Sequence, residues 1–141
     1  MEPNWYKLAS VNPLCARLNS LRTEMVSAAQ KAYDEWEQDE DGSNPELGAG
    51  GICQDVAEGI CYALSSHGID CTTLEAQVGD QHVWTIAWDG DVGYHIDIPP
   101  SVYETGSGYV WRKRKGVVFS SEHILISPAD ADTVRACRDE S

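Results

Sequence analysis

A cysteine, a histidine and an aspartate stand where secondary-structure elements are expected to begin or end. Cys53 lies in GGICQD, residues 50–55, where a glycine-rich stretch leads into an apolar pattern typical of a helix. His82 opens the alternating stretch QHVWTIAW, and Asp97 ends GYHID before a double proline. The unbonded amide groups and the macrodipole of a helix N-terminus favour a thiolate, so Cys53 is a candidate nucleophile.

A nucleophilic cysteine needs a base that takes its proton and a third group that orients the base. The short loop at residues 89–93 allows the stretches that contain His82 and Asp97 to form an antiparallel hairpin. Such a hairpin places the start of the first strand beside the end of the second, so we expect these two residues to be cross-strand neighbours. The competing interpretation is that Cys53 is a small buried residue of the core.

Two helical patterns precede the strands. Pro13 is expected at the first position of a helix over residues 13–37, followed by apolar residues at spacings of three and four: Leu14, Leu18, Leu21, Met25, Val26, Ala29 and Tyr33. A second pattern predicts a helix from about Cys53 to His67 that ends at Gly68, with Val56, Ala57, Ile60, Ala63 and Leu64 on its inner face. The stretch between them, residues 38–51, is predicted to be a loop that borders a cleft.

Alternating patterns predict strands at residues 71–78, 81–88, 93–98, 109–114 and 117–127. Their short connections favour an antiparallel sheet of about four to six strands. Helices come first and strands follow, so the predicted class is α+β, with the helix of Cys53 packed on the sheet. The tail after Pro128 is predicted to be a short helix or a frayed end. A chain of 141 residues fits one domain, residues 1–141.

Composition limits the partners. The net charge is −13, from 23 acidic and 10 basic residues, which disfavours nucleic acid and anionic membranes. The basic run at residues 112–115 is predicted to be a solvated turn between strands. No apolar stretch approaches the roughly 20 residues that span a bilayer, and the start lacks a signal-peptide pattern, so we expect a cytoplasmic protein. The five cysteines are an odd number, and in a reducing compartment we expect free thiols. They lack the paired spacing of a zinc site, so we expect no metal site, and we expect no cofactor.

The three motifs resemble the transglutaminase-like core of the papain-like cysteine-protease superfamily. In that core, Gly-x-Cys-x-Asp/Glu opens a helix, His-x-Trp opens a strand, and an aspartate ends the next strand before a proline. This sequence has Gly51-Ile52-Cys53-Gln54-Asp55, His82-Val83-Trp84 and Asp97-Ile98-Pro99. The resemblance covers about residues 48 to 100, and the chain is shorter than most members of the family.

The resemblance implies a role for each residue. Cys53 would be the nucleophile, His82 the base and then the acid, and Asp97 the group that orients the imidazole. The backbone N–H of Cys53 would be one oxyanion donor. We expect Trp84, Gly51 and Gln54 to border the substrate, with core packing as the alternative role of the tryptophan.

The implied reaction is acyl transfer from a protein or peptide substrate through a thioester. Hydrolysis, glutamine deamidation and transamidation share this triad, and an open site gives hydrolysis a slight preference. An arylamine N-acetyltransferase-like enzyme is an alternative, because such enzymes have a similar Gly-Gly-x-Cys sequence at the nucleophile. They are, however, much longer than this chain. A non-catalytic protein-interaction module on the same fold is the alternative from another class. The sequence gives no indication of the oligomeric state.

The remaining histidines and tryptophans receive structural roles. His95 shares a strand face with Asp97 and is an orienting neighbour, a rival base or a solvated strand residue, of which we predict the last. His67 is expected to cap a helix end, and His123 is expected in an outer strand without a partner. Trp88 and Trp111 are assigned to packing.

Overall fold

The computed structural model describes residues 13–39, 50–76, 82–107, 110–113 and 117–140. They form an α+β fold in which helices pack on an antiparallel sheet of four strands, which confirms the predicted class. The elements of the described residues follow in this order: α1 (Pro13–Ser20), α2 (Arg22–Asp39), α3 (Gly50–Ser66), β1 (Asp70–Ala76), β2 (His82–Asp89), β3 (Val92–Asp97), α4 (Pro100–Tyr103), β4 (Glu104–Ser107), β5 (Val110–Lys113), a 3-10 helix (Ser121–His123), β6 (Leu125–Ala129) and α5 (Ala131–Glu140).

The N-terminal helix is divided at Leu21, so the prediction of a single helix over residues 13–37 is wrong. The Leu21 amide donates to the Leu18 carbonyl at 3.1 Å, a tighter turn than that of an α-helix. Ser20 Oγ donates to the Arg17 carbonyl at 2.7 Å, where it competes with a helical backbone amide for the same acceptor. The apolar stripe continues across the break, and its buried members are Leu14, Leu18, Leu21, Met25, Ala29 and Tyr33.

Helix α3 packs against α2 at a close backbone approach. A Cβ atom at Gly59 would lie 2.9 Å from the Ala28 carbonyl oxygen, so only glycine fits without a shift of one helix. The predicted inner face of α3 is confirmed, since its five residues are all buried: Val56, Ala57, Ile60, Ala63 and Leu64.

Gly68 ends α3 as the sequence predicts. Its φ of +77° lies in the left-handed region, where glycine is favoured. The Ile69 amide donates to the Leu64 carbonyl at 3.0 Å, and the Gly68 amide donates to the Ser65 carbonyl at 3.0 Å. This pair of bonds is a Schellman motif, which reverses the chain directly into β1.

The strand order of the main sheet is β1-β2-β3-β6, and each neighbouring pair is antiparallel. One face packs on α2 and α3 through a cluster that includes Ala87, Tyr94 and Ile96. The other face packs on α5 through a smaller cluster of Ile86, Trp88, Val134 and Cys137. The helix α3 therefore covers one face of the sheet, and α5 covers part of the other.

The second half of the chain departs from the predicted strands at two places. Residues 117–124 contain a 3-10 turn, and pairing with β3 begins only at Leu125. Arg22 Nη1 holds this segment against α2, because it donates to the carbonyls of Ser121 at 2.9 Å and Ile124 at 2.7 Å. The strand β5 pairs with β4 in a separate two-stranded sheet. Arg112 and Lys113 belong to β5 rather than to a turn, and residues 114–116 lie outside the described residues.

The tail forms α5, a regular helix. Asp130 caps it, because Oδ1 accepts a hydrogen bond from the Thr133 amide at 2.7 Å. Within the part of the chain that the structure describes, no helix has the length and apolar character needed to cross a membrane.

Candidate active site

Cys53 lies in the first turn of α3. The helix begins at Gly50, three residues before the predicted start, so Cys53 is its fourth residue and Gly51 its second. The amide groups that lack an intrahelical acceptor then belong to residues 50–52. The macrodipole still acts at Cys53. The role of the Cys53 N–H as an oxyanion donor stays a prediction.

A buried hydrogen bond aligns α3 with β2. Thr85 Oγ1 donates to the Ala57 carbonyl at 2.7 Å, and Thr85 has no exposed surface. Ala57 comes one turn after Cys53, and Thr85 comes three residues after His82. The bond therefore places the start of the helix beside the start of the strand.

His82 and Asp97 are in contact. His82 Nε2 lies 2.8 Å from Asp97 Oδ2, which confirms that the two residues are neighbours. Thr85 pairs with Ile96, and continuing this register by one residue sets Asp97 opposite Trp84. His82 and Asp97 are thus diagonal neighbours rather than a directly opposed pair. Their side chains are 23% and 27% exposed, so the ion pair is accessible from solvent.

The histidine ring also interacts with Cys53. The pKa of His82 is raised to about 10, first by the hydrogen bond to Asp97 and next by a side-chain hydrogen bond to Cys53, while burial acts in the opposite direction. The structure therefore brings the three predicted catalytic residues together. The raised pKa keeps the imidazole protonated at neutral pH, so Nε2–H donates to Asp97 and Nδ1 is left for Cys53.

Trp84 contacts the candidate base. Its ring stacks on His82, with 5.7 Å between ring centroids and 24° between planes. Its Nε1–H donates to His95 Nδ1 at 3.0 Å. His95 is therefore a half-buried partner of Trp84, and the prediction of a solvated strand residue is wrong. The sequence signal for the stacked pair is the two-residue spacing, which places both rings on one strand face.

The other predicted residues lie away from this contact. Gln54 Nε2 donates to Glu58 Oε1 at 3.0 Å on the exposed side of α3. His123 Nδ1 accepts from the Ser120 amide at 3.0 Å in the 3-10 turn, so its predicted position in an outer strand is wrong. His67 is exposed at the end of α3.

The sequence assigned Trp88 and Trp111 to packing. Trp88 is buried as predicted, while the side chain of Trp111 lies outside the described residues. Across residues 13–39, 50–76, 82–107, 110–113 and 117–140, the structure shows no group of three or more His, Cys, Asp or Glu side chains that could hold a metal ion.

Comparison of the chain with protein-family models, with curated proteins and with solved structures found no match. The chemistry of Cys53, His82 and Asp97 must therefore be inferred from their own geometry.

Proposed function

We propose that the chain is a cysteine-dependent acyl-transfer enzyme with a transglutaminase-like core. The observation that supports this most is the His82 ring, which is hydrogen-bonded to Asp97 at 2.8 Å and also to the Cys53 side chain. A nucleophile, a base and an orienting carboxylate in this order are the parts of a catalytic triad. The positions of the three residues in α3, β2 and β3 agree with the resemblance seen in the sequence.

In the proposed reaction, Cys53 Sγ attacks the carbonyl carbon of an amide. The thiol proton resides on His82, which then donates it to the departing amine or ammonia as the C–N bond breaks. A thioester to Cys53 remains. Water or a second amine next attacks the thioester carbon and gives its proton to His82. The C–S bond breaks, and the sulfur of Cys53 leaves without a proton, which restores the starting state.

Two neighbours position the base in this scheme. Asp97 holds Nε2–H, so the ring keeps Nδ1 directed towards Cys53. Trp84 lies flat against the imidazole and restricts its rotation. Trp84 is thus assigned a positioning role, whereas the sequence suggested a substrate contact.

The acyl donor in this proposal is an amide of a protein or peptide. Hydrolysis, deamidation and transamidation differ only in the leaving group and in the acceptor of the acyl group. The partial exposure of His82 and Asp97 lets water reach the thioester, which favours hydrolysis.

A second candidate is a non-catalytic interaction module. Cys53 is only 4% exposed, and it belongs to the main core cluster together with Ile52 and Val56. A thiol that is always covered would serve packing rather than catalysis.

Site-resolved alkylation separates the two candidates. Native protein is treated with iodoacetamide, and the rate at each cysteine is measured by mass spectrometry, with the half-buried Cys15 as the internal reference. An enzyme requires Cys53 to react faster than Cys15 and to lose this advantage in His82→Ala. Protection of Cys53 until the protein unfolds would instead support the interaction module.

A panel of peptide assays then identifies the reaction. Ammonia release from a glutamine-containing peptide reports deamidation, incorporation of a primary amine reports transamidation, and new peptide termini report hydrolysis. The matched control is Cys53→Ala, because any activity that persists in this variant does not come from the proposed site.

A further inference from the structure

A second pair of thiols lies outside the triad. Cys61 is in the fourth turn of α3, Cys71 is in β1, and their Sγ atoms are 2.8 Å apart. The bond of a disulfide is about 2.05 Å, so the two sulfurs need to move by less than 1 Å to join. The Schellman turn at Gly68 makes this contact possible, because it folds β1 back against the helix.

The two sulfurs are chemically unequal. The pKa of Cys71 is lowered, first by its hydrogen bond with the Cys61 thiol and further by Ser65, whose Oγ lies 3.4 Å away. Burial acts against this lowering. The pKa of Cys61 is raised, first by the same bond to Cys71 and then by burial. The Cys71 thiol also donates to the Cys61 carbonyl oxygen at 3.2 Å. Because its pKa is lowered, Cys71 is the better nucleophile of the pair.

Small molecules can reach both sulfurs. Cys61 and Cys71 are each partly exposed and line an open surface depression of about 340 Å³. The neighbouring Tyr62 side chain is exposed. Cys61 is eight residues beyond Cys53 in the same helix, so the pair is separate from the candidate active site.

We propose that Cys61 and Cys71 are a reversible redox pair that closes to a disulfide by exchange with a small-molecule disulfide. The Cys71 thiolate attacks one sulfur of the external disulfide and displaces the first small thiol. Cys61 Sγ then attacks Cys71 Sγ in the mixed disulfide and displaces the second small thiol. Two cysteine thiols are oxidised, one external disulfide is reduced to two thiols, and the two protons pass to these products.

The contact between the sulfurs also explains the order of the steps. Once Cys71 carries the small thiol, the hydrogen bond between the two thiols is lost, and with it the largest cause of the raised pKa of Cys61. Cys61 then ionises more readily while it remains adjacent to its target. The product joins α3 to the edge strand β1, and it does not depend on the proposed enzymatic function.

Glutathione disulfide tests the proposal on the full chain. The protein is incubated at neutral pH, quenched by alkylation and digested with a protease that cleaves before aspartate, which places Cys53, Cys61 and Cys71 in the separate peptides 41–54, 55–69 and 70–79. We expect a crosslink between peptides 55–69 and 70–79 that dithiothreitol reverses. We also expect the oxidised protein to unfold about 5–10 °C above the reduced protein, because the crosslink restricts the unfolded chain.

Variants separate the two steps. Cys61→Ser should accumulate glutathione on Cys71, because the resolving thiol is missing, while Cys15→Ser should still form the crosslink. The proposal is overturned if native protein accepts glutathione at Cys15 but forms no link between Cys61 and Cys71. It is also overturned if the link forms only after the protein has been unfolded. Both of these measurements use the wild-type chain and do not depend on the folding of a variant.

Discussion

Asp97 Oδ2 lies 2.8 Å from His82 Nε2 across the hairpin of β2 and β3, and this contact determines which ring nitrogen is left for Cys53. With Nε2 engaged, the imidazole can turn only Nδ1 towards the helix. The orientation of the candidate base is therefore set by the sheet, and the candidate nucleophile lies on a separate element that packs on the sheet.

Asp97→Asn should reduce turnover without abolishing it. The asparagine Oδ1 can still accept from Nε2–H, but the charge that stabilises the imidazolium is lost. We expect kcat to fall by about 10- to 100-fold, the equivalent of one hydrogen bond to a charged group. Asp97→Ala should be more severe, because nothing then orients the ring. Equal rates for the two variants would contradict an orienting role for this residue.

Cys53→Ala should abolish covalent turnover while the fold persists, because alanine leaves only a small cavity. His82→Ala should lower turnover by about 10²- to 10⁴-fold, the usual contribution of a general base. His95→Ala should lose only about 2- to 10-fold, because it removes one neutral hydrogen bond, whereas His82 is the residue bonded to both Asp97 and Cys53. Steady-state kinetics of the three variants on one peptide substrate check this ranking. If His95→Ala were inactive while His82→Ala kept its activity, His95 would be identified as the base.

The imidazole of His82 should remain protonated far above the reference pKa of roughly 6.5. Its ring signals in an NMR titration should shift near pH 10, the value that its contacts with Asp97 and Cys53 produce. The midpoint should decrease most in Asp97→Asn, since that contact makes the largest contribution, and less in Cys53→Ala. A midpoint near 6.5 in the wild type would mean that the ring makes neither contact in solution.

The same raised pKa makes the stability of the fold depend on pH. The folded-state pKa exceeds the unfolded value, so the contribution of His82 is complete below about pH 6.5 and is lost as the pH rises towards about 10. Urea unfolding of the wild type and of His82→Ala at several pH values in this range measures the contribution of His82 to stability. The gap between their free energies of unfolding should narrow with increasing pH, and a constant gap would exclude this linkage.

Trp84→Phe should test the positioning role of the indole. Phenylalanine keeps a ring against His82 but removes the Nε1–H that donates to His95. We expect a loss of about 2- to 10-fold in kcat, typical of one neutral hydrogen bond. His95→Ala removes the other half of the same bond, so the double variant should be little worse than either single variant. Additive losses would show that the two side chains act separately.

Gly59→Ala should destabilise the packing of α2 and α3. The new Cβ would lie 2.9 Å from the Ala28 carbonyl oxygen, and backbone cannot move aside as a flexible side chain can. We expect the free energy of unfolding to fall by about 1–3 kcal/mol, even though alanine is the better helix former. Glu58→Ala, at the exposed neighbouring position, should change it by less than about 0.5 kcal/mol. A more stable Gly59→Ala variant would contradict the close approach.

The juxtaposition of Cys53, His82 and Asp97 could be predicted because local rules fix most of it. The alternation in β2 and β3 and the short loop at residues 89–93 define a hairpin, and a hairpin has few possible registers. His82 and Asp97 could thus be placed in contact, although the register differs by two residues from direct opposition. The helical pattern after Cys53 predicts that this residue lies near the start of a helix. Its position within the helix does not follow from this pattern, because Gly50 and Gly51 are weak helix formers and yet are part of α3.

Other features depend on contacts that no local pattern contains. The break at Leu21 interrupts an apolar stripe that is continuous in sequence. Residues 117–124 alternate like a strand, but Arg22 of α2 holds this segment by its carbonyls. The contact of Cys61 with Cys71 requires the reversal at Gly68, so spacing along a single helix could not reveal it.

The hydroxyl of Thr85 has a consequence for the reliability of folding. Its bond to the Ala57 carbonyl is buried, and in the described structure no surface of Thr85 reaches solvent. A displacement of α3 along β2 by one residue would leave this hydroxyl without a partner, at a cost of about 1–3 kcal/mol. Misaligned packings of helix and sheet are therefore disfavoured by a residue that takes no part in the proposed chemistry. The fold selects the arrangement in which Cys53 and His82 meet.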